Sequence, residues 1–381
     1  MLDHEILLAL VAPLRPGDAL VPGVRLIEAR AEPAPLLLFE DAGLAVAIEV
    51  TPLDGTRRAA ATTELFALSY RALAGLEPRR GQELCRELAT RVASREHAVL
   101  ARLAAGVDEE GATRVRRVEA TRALEPRDAP GAAHYGLSPY VGCLIGCRFC
   151  YAQSRLTPLR RLLGRAAAPW GSWVDVRANL PALLREELQT SPPRPVKITP
   201  IVSDPYQVIE TRERLTRRCL QELAAAPAFT PLLLTRSAAI LEDRERIAAM
   251  PGAHVGVSLP SLDEQALAHF EPRAASAAAR VAVLRGFAGA GVATFAVLQP
   301  LLPGPVEALA DTLASCVRSV HLDVLHGEEG AGGEFDDARY SMARDPSWQR
   351  ERALRLAEAL QQRGVAVWRG ELPPTLSAST M

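Results

Sequence analysis

Three cysteines lie within eight residues of the chain, at Cys143, Cys147 and Cys150. Their C-x3-C-x2-C spacing lets all three thiolates face one small object. A disulfide framework is disfavoured, because three is an odd number and neighbours this close would form strained rings. A structural zinc site usually closes with four ligands, and no further Cys or His follows nearby to provide the fourth. A [4Fe–4S] cluster normally takes four thiolates, so three would leave one iron open to a substrate or cofactor.

The other three cysteines, Cys85, Cys219 and Cys316, are scattered along the chain. This pattern is typical of a reducing cytoplasm, where a labile cluster also survives. The first residues are acidic where a signal peptide would be basic. The sequence contains no run of about 18 apolar residues, so it predicts no membrane span. We therefore expect a cytoplasmic protein.

The composition excludes few functions. A chain of 381 residues is too long for one average domain, and a hydrophobic content of 48% supports a large core. The net charge of −1 gives no global attraction to nucleic acid, and 5% aromatic residues provide few stacking platforms for bases. Arg is abundant and Lys is scarce, which we interpret as the mark of a GC-rich genome.

Residues 1–125 are predicted to form a separate α+β domain of unknown role, with substrate or partner recognition as one hypothesis. The hydrophobic pattern predicts three strands followed by two helices. Cys85 is expected to pack within the second of these helices and His97 to lie on its outer part. A charged linker at 106–131 is expected to contain one strand. The predicted elements are a helix over Leu2–Leu14, strands over Val24–Ala29, Leu36–Glu40 and Leu44–Val50 with a turn at Asp41–Gly43, helices over Thr62–Leu73 and Arg80–Ala104, and a linker strand over Arg114–Glu119.

Residues 126–381 alternate between strand-like and helix-like segments, which predicts parallel strands joined by right-handed crossovers. Six or seven such strands favour a partial (β/α)6-type barrel over a closed eightfold one. Reactive groups are then expected at the carboxyl ends of the strands. The predicted strands are Val196–Val202, Pro231–Thr235, Val255–Leu259, Val292–Leu298, Val320–Leu325 and Val365–Trp368, and the predicted helices are Pro181–Leu188, Arg212–Ala225, Leu241–Met250, Ala274–Ala290, Val306–Val317 and Pro346–Arg363.

Several motifs around and after the cysteines resemble those of one enzyme group, in the same order. Together they cover about residues 134–305. They resemble the radical S-adenosylmethionine (SAM) group related to spore photoproduct lyase. The matching stretches are Ser138–Ala152, Ser203–Gln207, Leu215–Leu220, Leu234–Arg236, Val257–Leu259, Leu262–Glu264, Glu271–Arg273, Gly289–Val292 and Pro300–Gly304.

The resemblance implies a radical SAM barrel in which Cys143, Cys147 and Cys150 ligate a [4Fe–4S] cluster. In that superfamily the open iron is chelated by the amino and carboxylate groups of SAM, and an electron from the cluster cleaves SAM to methionine and a 5′-deoxyadenosyl radical. The radical then abstracts hydrogen from a substrate, here an unknown small molecule or peptide. An electron donor such as flavodoxin or ferredoxin is implied as a partner.

The resemblance also implies which other residues bind the cofactor: Phe149, Tyr151, Ser203, Asp204, Arg236 and Ser258. Phe149 would shield the cluster and border the adenine, with Tyr151 as a wall residue. Ser203 and Asp204 would hold the amino group of SAM, because an ammonium needs acceptors. Arg236 would meet the carboxylate or ribose side, and Ser258 would reach the ribose. Asp204, Arg236 and Ser258 are each alternatively interpreted as a turn or cap residue.

Other polar residues near these motifs have both a structural and a functional interpretation. Glu271 and Arg280 form either a structural ion pair or a ligand contact. The basic segment at 153–165, with Arg155, Arg160, Arg161 and Arg165, is interpreted as a solvated helix face. His321 and His326 are interpreted as packing or hydrogen-bonding residues, and Cys219 and Cys316 as core residues.

The sequence departs from the lyase in the half of the site that would face the substrate. The lyase carries a hydrogen-donating cysteine two positions before its Ser-Asp pair, where this chain has Ile201. The lyase's tyrosine-bearing C-terminal segment is also missing, because no tyrosine follows Tyr340. These departures favour a different substrate over a thymine photodimer, so a DNA photoproduct lyase is kept only as an alternative and nucleic acid is not favoured as a partner. A non-catalytic iron–sulfur protein and a maturase acting on a peptide or metabolite are further alternatives.

Overall fold

The computed structural model describes residues 15–21, 23–30, 36–41, 44–52, 60–62, 66–72, 81–90, 114–128, 131–162, 165, 168–199, 202–325 and 331–377. The chain divides into two compact units, residues 1–110 with 155–167 and residues 111–154 with 168–381. The domain boundary predicted at residue 125 stays a prediction. Leu2–Leu14, His97, Ile201 and His326 lie outside the described residues, as do the side chain of Arg161 and residues 91–104 of the second predicted helix.

The first unit contains a six-stranded antiparallel sheet in the order β1-β2-β3-β4-β6-β5. Its three predicted strands are confirmed as β2, β3 and β4. Asp41 pairs with Leu44 across β3 and β4, which confirms the predicted chain reversal after Asp41. The strands are β1 (Ala19–Val21), β2 (Val24–Arg30), β3 (Leu36–Asp41), β4 (Leu44–Pro52), β5 (Ala61–Thr62) and β6 (Phe66–Ala72).

The helix predicted over Thr62–Leu73 is wrong, because these residues contribute to β5 and β6. Strand β6 pairs with β4 from Phe66 to Ala72, and Leu68 is fully buried. Ala and Leu favour helix locally, but pairing with a neighbouring strand and burial of one face outweigh that preference.

Helix α1 occupies 81–90, within the predicted Arg80–Ala104 helix. Its apolar face buries Leu84, Cys85 and Leu88. Burial raises the pKa of the Cys85 thiol to about 11, which suits the predicted packing role.

The second unit contains an eight-stranded sheet in the order β17-β16-β15-β14-β13-β12-β9-β8. The seven strands from β17 to β9 are mutually parallel, and only β8 runs antiparallel to its neighbour. Because β17 and β8 are its two edges, the sheet is an open barrel, which confirms the predicted partial (β/α) barrel. Its strands are β8 (Glu125–Arg127), β9 (His134–Gly136), β12 (Val196–Ile198), β13 (Pro231–Thr235), β14 (His254–Ser258), β15 (Ala293–Leu298), β16 (Ser319–Leu322) and β17 (Ala366–Trp368).

Helices alternate with the barrel strands as predicted, although two predicted helices are interrupted. The Arg212–Ala225 helix divides at Arg214, which has a positive φ of 51°, and the Leu241–Met250 helix begins as a 3₁₀ turn at Ala238–Asp243. The helices are α2 (Ala152–Leu162), α3 (Leu180–Thr190), α4 (Glu210–Glu213), α5 (Leu215–Ala224), α6 (Arg244–Ala248), α7 (Glu264–Phe270), α8 (Ala277–Gly289), α9 (Val306–Ala314), α10 (Gly332–Phe335), α11 (Pro346–Gln362) and α12 (Pro374–Ser377), with a second 3₁₀ turn at Ser341–Arg344.

A small three-stranded sheet lies directly before the cysteine stretch. It pairs β10 (Tyr140–Val141) with β11 (Trp173–Arg177), and β11 with β7 (Arg114–Val118). Strand β7 confirms the strand predicted in the linker. The side chains of Tyr140 and Trp173 are almost fully buried. Since β10 ends at Val141, this sheet fixes the point at which the cysteine loop begins.

Candidate functional site

The three cysteines lie in the loop between β10 and α2, and two glycines shape that loop. Gly142 and Gly146 have φ values of +84° and +64°, which glycine adopts without strain. A Cβ on Gly142 would lie 2.4 Å from the Trp173 ring, and one on Gly146 would lie 2.9 Å from the Cα of Gly171. The backbone therefore passes close to its neighbours at both glycines, where a larger residue would not fit.

The thiols of the loop are mostly enclosed by protein. Cys143 and Cys147 are buried, Cys150 is half-buried, and none of the three forms a disulfide. Burial raises the pKa of Cys143 to about 12 and that of Cys147 well above its ordinary value. Within the described ranges, no three His, Cys, Asp or Glu side chains converge on a single metal ion. A cubane cluster does not require such convergence, since each of its thiolates binds a different iron.

Gln207 connects the cysteine loop to the segment after β12. Its Oε1 accepts a hydrogen bond from the Leu144 amide at 2.7 Å, and its Nε2 donates to the Gly142 carbonyl at 3.2 Å and to Ser203 Oγ at 2.5 Å. The Gln207 side chain is 1% exposed, so water does not compete for these bonds. The sequence motif contained Gln207 but gave no indication of this role.

The end of α7 and the residues that follow it provide a second support for the cysteine loop. The Phe270 carbonyl accepts from the Arg148 amide at 2.9 Å, and Arg273 Nε donates to the Ile145 carbonyl at 3.3 Å. The Phe270 ring also lies 6.0 Å from the Phe149 ring, centroid to centroid. Phe270 and Arg273 therefore brace the loop from the other side, and Arg273 belongs to the matched Glu271–Arg273 motif.

Asp204 is almost fully buried, and its carboxylate is occupied by protein donors. Oδ1 accepts from the Tyr206 amide at 2.9 Å and from Thr235 Oγ1 at 2.6 Å, and Oδ2 accepts from the Arg236 amide at 2.8 Å. Burial raises the pKa of Asp204, although these donors oppose the rise. Asp204 thus fixes the carboxyl end of β13 to the segment after β12. The neighbouring Ser203 accepts a hydrogen bond from Gln207.

Arg236, Glu271 and Arg280 form one buried ionic group. Arg236 Nε lies 2.7 Å from Glu271 Oε1, and Arg280 Nη2 lies 2.5 Å from Glu271 Oε2. Burial alone would raise the pKa of Glu271, but the two guanidinium groups hold it below its ordinary value. Of the two interpretations given for Glu271 and Arg280, the structure shows the ion pair, and Glu271 also holds Arg236 beside the cavity described next.

A cavity of about 280 Å³ extends from the cysteine loop into the barrel. Three of the implied cofactor residues line its upper end with Cys150: Phe149, Arg236 and Ser258. Tyr151 also lines it and is 43% exposed. The Ser258 hydroxyl is buried and has no hydrogen-bond partner, which makes it available to a ligand in a position where an unpaired polar atom is costly.

The inward residues of the barrel strands form three layers along this cavity. Ser258, Val297, His321 and Trp368 are in register across β14 to β17 and form the top layer. Leu234 and Phe295 belong to the apolar middle layer, and Lys197 and Leu232 belong to the bottom one. All eight of these side chains line the cavity.

The remaining predicted residues fall into two groups. Cys219 and Cys316 are buried in the core, as expected. His321 lies on the cavity wall, with its ring 4.6 Å from the Trp368 ring. In the basic segment Arg155 is exposed, but Arg160 is only 8% exposed, so the prediction of a solvated face is wrong at Arg160. Its position on a buried side of α2 explains the difference.

Comparison with known proteins gives relatives of uncharacterized function and one recurring fold. No family model matches the chain. An uncharacterized protein of Methanocaldococcus jannaschii is 27% identical over 192 residues, which are 50% of this chain and 69% of that protein. An uncharacterized protein of Mycobacterium tuberculosis is 29% identical over 214 residues, and the match spans 55% of this chain but only 58% of that protein.

Among solved structures, spore photoproduct lyase complexed with dinucleoside spore photoproduct aligns with a TM-score of 0.50 at 15% identity, covering 73% of this chain and 95% of that one. A mutant of the lyase aligns with the same TM-score and identity, over 79% of this chain and 87% of the other. The chain has the fold of spore photoproduct lyase. The lyase fold accounts for the open barrel. In the part of the chain that the structure describes, no helix combines the length and hydropathy needed to cross a bilayer.

Proposed function

We propose that this chain is a radical SAM enzyme. The observation that carries the proposal is the cysteine loop at the upper end of a barrel cavity, facing an unpartnered buried hydroxyl at Ser258. A [4Fe–4S] cluster held by the three cysteines would supply the electron for cleaving bound SAM to methionine and a 5′-deoxyadenosyl radical, which would remove hydrogen from a substrate. The electron would come from a donor such as flavodoxin or ferredoxin.

Cys143, Cys147 and Cys150 would hold the cluster as thiolates, so their protons must leave when metal binds. Gln207 and Arg273 would keep the loop in shape from opposite sides, because both bond to its backbone. The surrounding protein supplies the low solvent access that a reduced cluster and a carbon radical need.

The SAM contacts divide between ligand donors and residues that position them. Arg236 uses Nε for Glu271, and among the described residues its two terminal nitrogens donate to no protein group, so they would meet the SAM carboxylate. Ser258 would bond to a ribose hydroxyl, and Phe149 and Tyr151 would border the adenine. Asp204 already accepts three protein hydrogen bonds, so its main task would be to position Arg236.

Anaerobic reconstitution with iron and sulfide, followed by dithionite and SAM, tests this proposal. We expect 5′-deoxyadenosine and methionine to accumulate, and Cys150→Ala to abolish both products. Cys316→Ala is the matched control, because Cys316 is also a buried free cysteine but does not belong to the cysteine loop. An intact cluster that forms no 5′-deoxyadenosine would refute the proposal of a radical SAM enzyme and would support a non-catalytic iron–sulfur protein.

Photoproduct repair is a second candidate, since the lyase of the same fold has been solved with a dinucleoside spore photoproduct. The same reaction mixture with that dinucleoside added distinguishes the two. Conversion of the dinucleoside to its unlinked form would establish repair. SAM cleavage without that conversion would support a radical SAM enzyme with a different substrate.

A further inference from the structure

Lys197 is the one lysine in the chain, and the other 43 of the 44 Lys and Arg residues are arginines. Lys197 does not lie on the surface. It belongs to β12, lines the cavity and has 17% of its side chain exposed. A chain that uses Arg elsewhere thus has a compact, flexible ammonium inside its barrel, where the fixed fork of Arg has a different shape and reach.

The partner of Lys197 follows β17, an edge strand of the sheet. Its Nζ lies 2.7 Å from Glu371 Oε2, just after β17, although five strand-to-strand steps separate β12 from β17. Five steps at about 4.8 Å would span roughly 24 Å in a flat sheet, so the contact requires the sheet to curve strongly between β12 and β17. An ion pair that only holds these two strands together could also be made by the longer side chain of Arg. This role therefore does not explain why the residue is a lysine.

The ammonium of Lys197 also keeps donor capacity. An ammonium has three N–H donors, and within the described residues Glu371 is the partner that accepts from it. Above it, Trp368 Nε1 and His321 Nδ1 are buried without hydrogen-bond partners, and both residues line the same cavity. Lys197 and Trp368 therefore keep N–H donors that the described protein groups do not use, and a ligand rich in oxygen would accept from them.

Charge narrows the chemistry of that ligand. The basic side chains that line the cavity are Lys197, Arg236 and His321, and burial lowers the pKa of His321, which favours its neutral form. Arg236 pairs with Glu271 through Nε, and its terminal nitrogens are the ones proposed for the SAM carboxylate. A dianionic phosphate would face one ammonium that is shared with Glu371, whereas a carboxylate matches it in charge and can replace Glu371. A neutral amide would not displace a carboxylate.

The shape of the cavity adds an apolar body to the carboxylate. Leu234 and Phe295 form the layer between Lys197 and the Ser258 level. Two layers correspond to four residues of strand, or about 13 Å at about 3.3 Å per residue. A ligand held at Lys197 would cross this apolar layer and place its far end beside the SAM side of the cavity.

We propose that Lys197 anchors the carboxylate of a small organic acid with an apolar body, in exchange for Glu371, and that this acid is the substrate class. That the acid is a substrate rests on the proposed function, because only an enzyme would convert it. The binding itself depends only on the residues of the cavity.

The single lysine makes the test direct. Full-length reconstituted protein grown with lysine labelled at 13Cε and 15Nζ has one lysine side-chain resonance. The probes are straight-chain carboxylates from butyrate to decanoate, with the matching primary amides and chloride at equal ionic strength as controls. We expect saturable shifts with carboxylates, strengthening with chain length, and none with amides. Glu371→Gln should tighten carboxylate binding about tenfold by removing the competing group.

An exposed ion pair provides the matched control. Arg185 Nη2 lies 2.6 Å from Glu222 Oε1 on the outer helices, so Glu222→Gln changes an ion pair without touching the cavity. It should leave the carboxylate titration unchanged. Equal shifts with carboxylates, amides and chloride would overturn the proposal, as would no shift with any carboxylate or weaker binding in Glu371→Gln.

The outcome is independent of SAM cleavage. Saturable carboxylate binding without 5′-deoxyadenosine formation would sink only the proposed function. SAM cleavage with an unmoved lysine resonance would sink only the anchoring role.

Discussion

At the scale of single residues, Gln207 shows how one buried amide controls a loop. Replacing it with Leu would leave the Leu144 amide, the Gly142 carbonyl and Ser203 Oγ without their partner. Unsatisfied buried groups cost about 1–3 kcal/mol each, so we expect Gln207→Leu to lower the free energy of unfolding by roughly 3 kcal/mol and to reduce bound iron per chain. Urea unfolding and iron analysis measure both.

The exposed Gln361, at the end of α11, provides the control for this change. Gln361→Leu should alter neither stability nor iron content by a measurable amount. Equal effects in the two variants would mean that the Gln207 bonds do not hold the cysteine loop.

Ser258 is expected to behave in the opposite way. Its hydroxyl is buried and unpaired, so Ser258→Ala should leave the free energy of unfolding unchanged or slightly higher. If the hydroxyl binds the ribose of SAM, the Kd for SAM should rise by about tenfold, which corresponds to a bond of about 1.4 kcal/mol. Equilibrium dialysis with SAM gives the Kd, and an unchanged value would remove Ser258 from the binding site.

The residues that sequence could identify are those whose type and spacing define a motif. The three cysteines, Asp204 and Ser258 belong to that class, and the structure brings the cysteine loop and Ser258 to one cavity. The roles of Gln207 and Arg273 were not predictable, because they depend on loops that meet only after folding. Lys197 had a signal, its uniqueness, but composition alone does not say that a residue faces the inside of a barrel.

At the scale of elements, Glu271 joins the end of β13 to the start of α8 through Arg236 and Arg280. Glu271→Gln would leave two buried guanidinium groups without a counter-charge, and breaking a buried pair in this way costs about 3–5 kcal/mol. We expect a loss of this size in urea unfolding. Glu307→Gln, in an exposed pair with Arg363, should cost less than about 1 kcal/mol, and equal losses would contradict the account.

The C-terminal segment is expected to respond to pH. His254, at the start of β14, lies 2.6 Å from the Gly252 carbonyl through Nδ1 and 2.7 Å from Thr375 Oγ1 through Nε2. Burial lowers its pKa, and also the pKa values of His134 and His321. The unfolded chain therefore takes up these protons at a higher pH than the folded chain, and stability is lost as pH falls below about 6.5.

We expect the free energy of unfolding to fall between pH 7.5 and 5.5, and amide exchange at 372–376 to accelerate beyond its intrinsic pH dependence. His254→Gln should remove part of this fall. A variant that keeps the full pH dependence would show that His254 does not contribute.

Secondary structure was predictable where one periodicity dominates. The barrel strands Pro231–Thr235 and Ala293–Leu298 are buried apolar runs and were located to within one residue. Strand β6 was not, because its Ala and Leu content suits either structure and only its pairing with β4 decides. The short strand β11 also escaped, since it forms a separate small sheet with β10 and β7.

At the scale of the whole molecule, the open barrel brings two distinct chemistries to one cavity. The cysteine loop and the ends of β13 and β14 line its upper end, His321 and Trp368 belong to the same top layer as Ser258, and Lys197 belongs to the bottom layer. The arrangement is built from parallel strands whose inward residues repeat in layers, so each strand contributes to more than one part of the cavity. The cofactor and substrate halves of the proposed site are therefore separable by mutation.

The central claim is that the cysteine loop holds a cluster with one iron open to SAM. Electron paramagnetic resonance of the dithionite-reduced protein, recorded with and without SAM alongside iron and sulfide analysis, tests it most directly. The account predicts about four irons and four sulfides per chain and a reduced-cluster signal whose g values change when SAM is added. A single bound metal ion, or a cluster signal that SAM leaves unchanged, would contradict it.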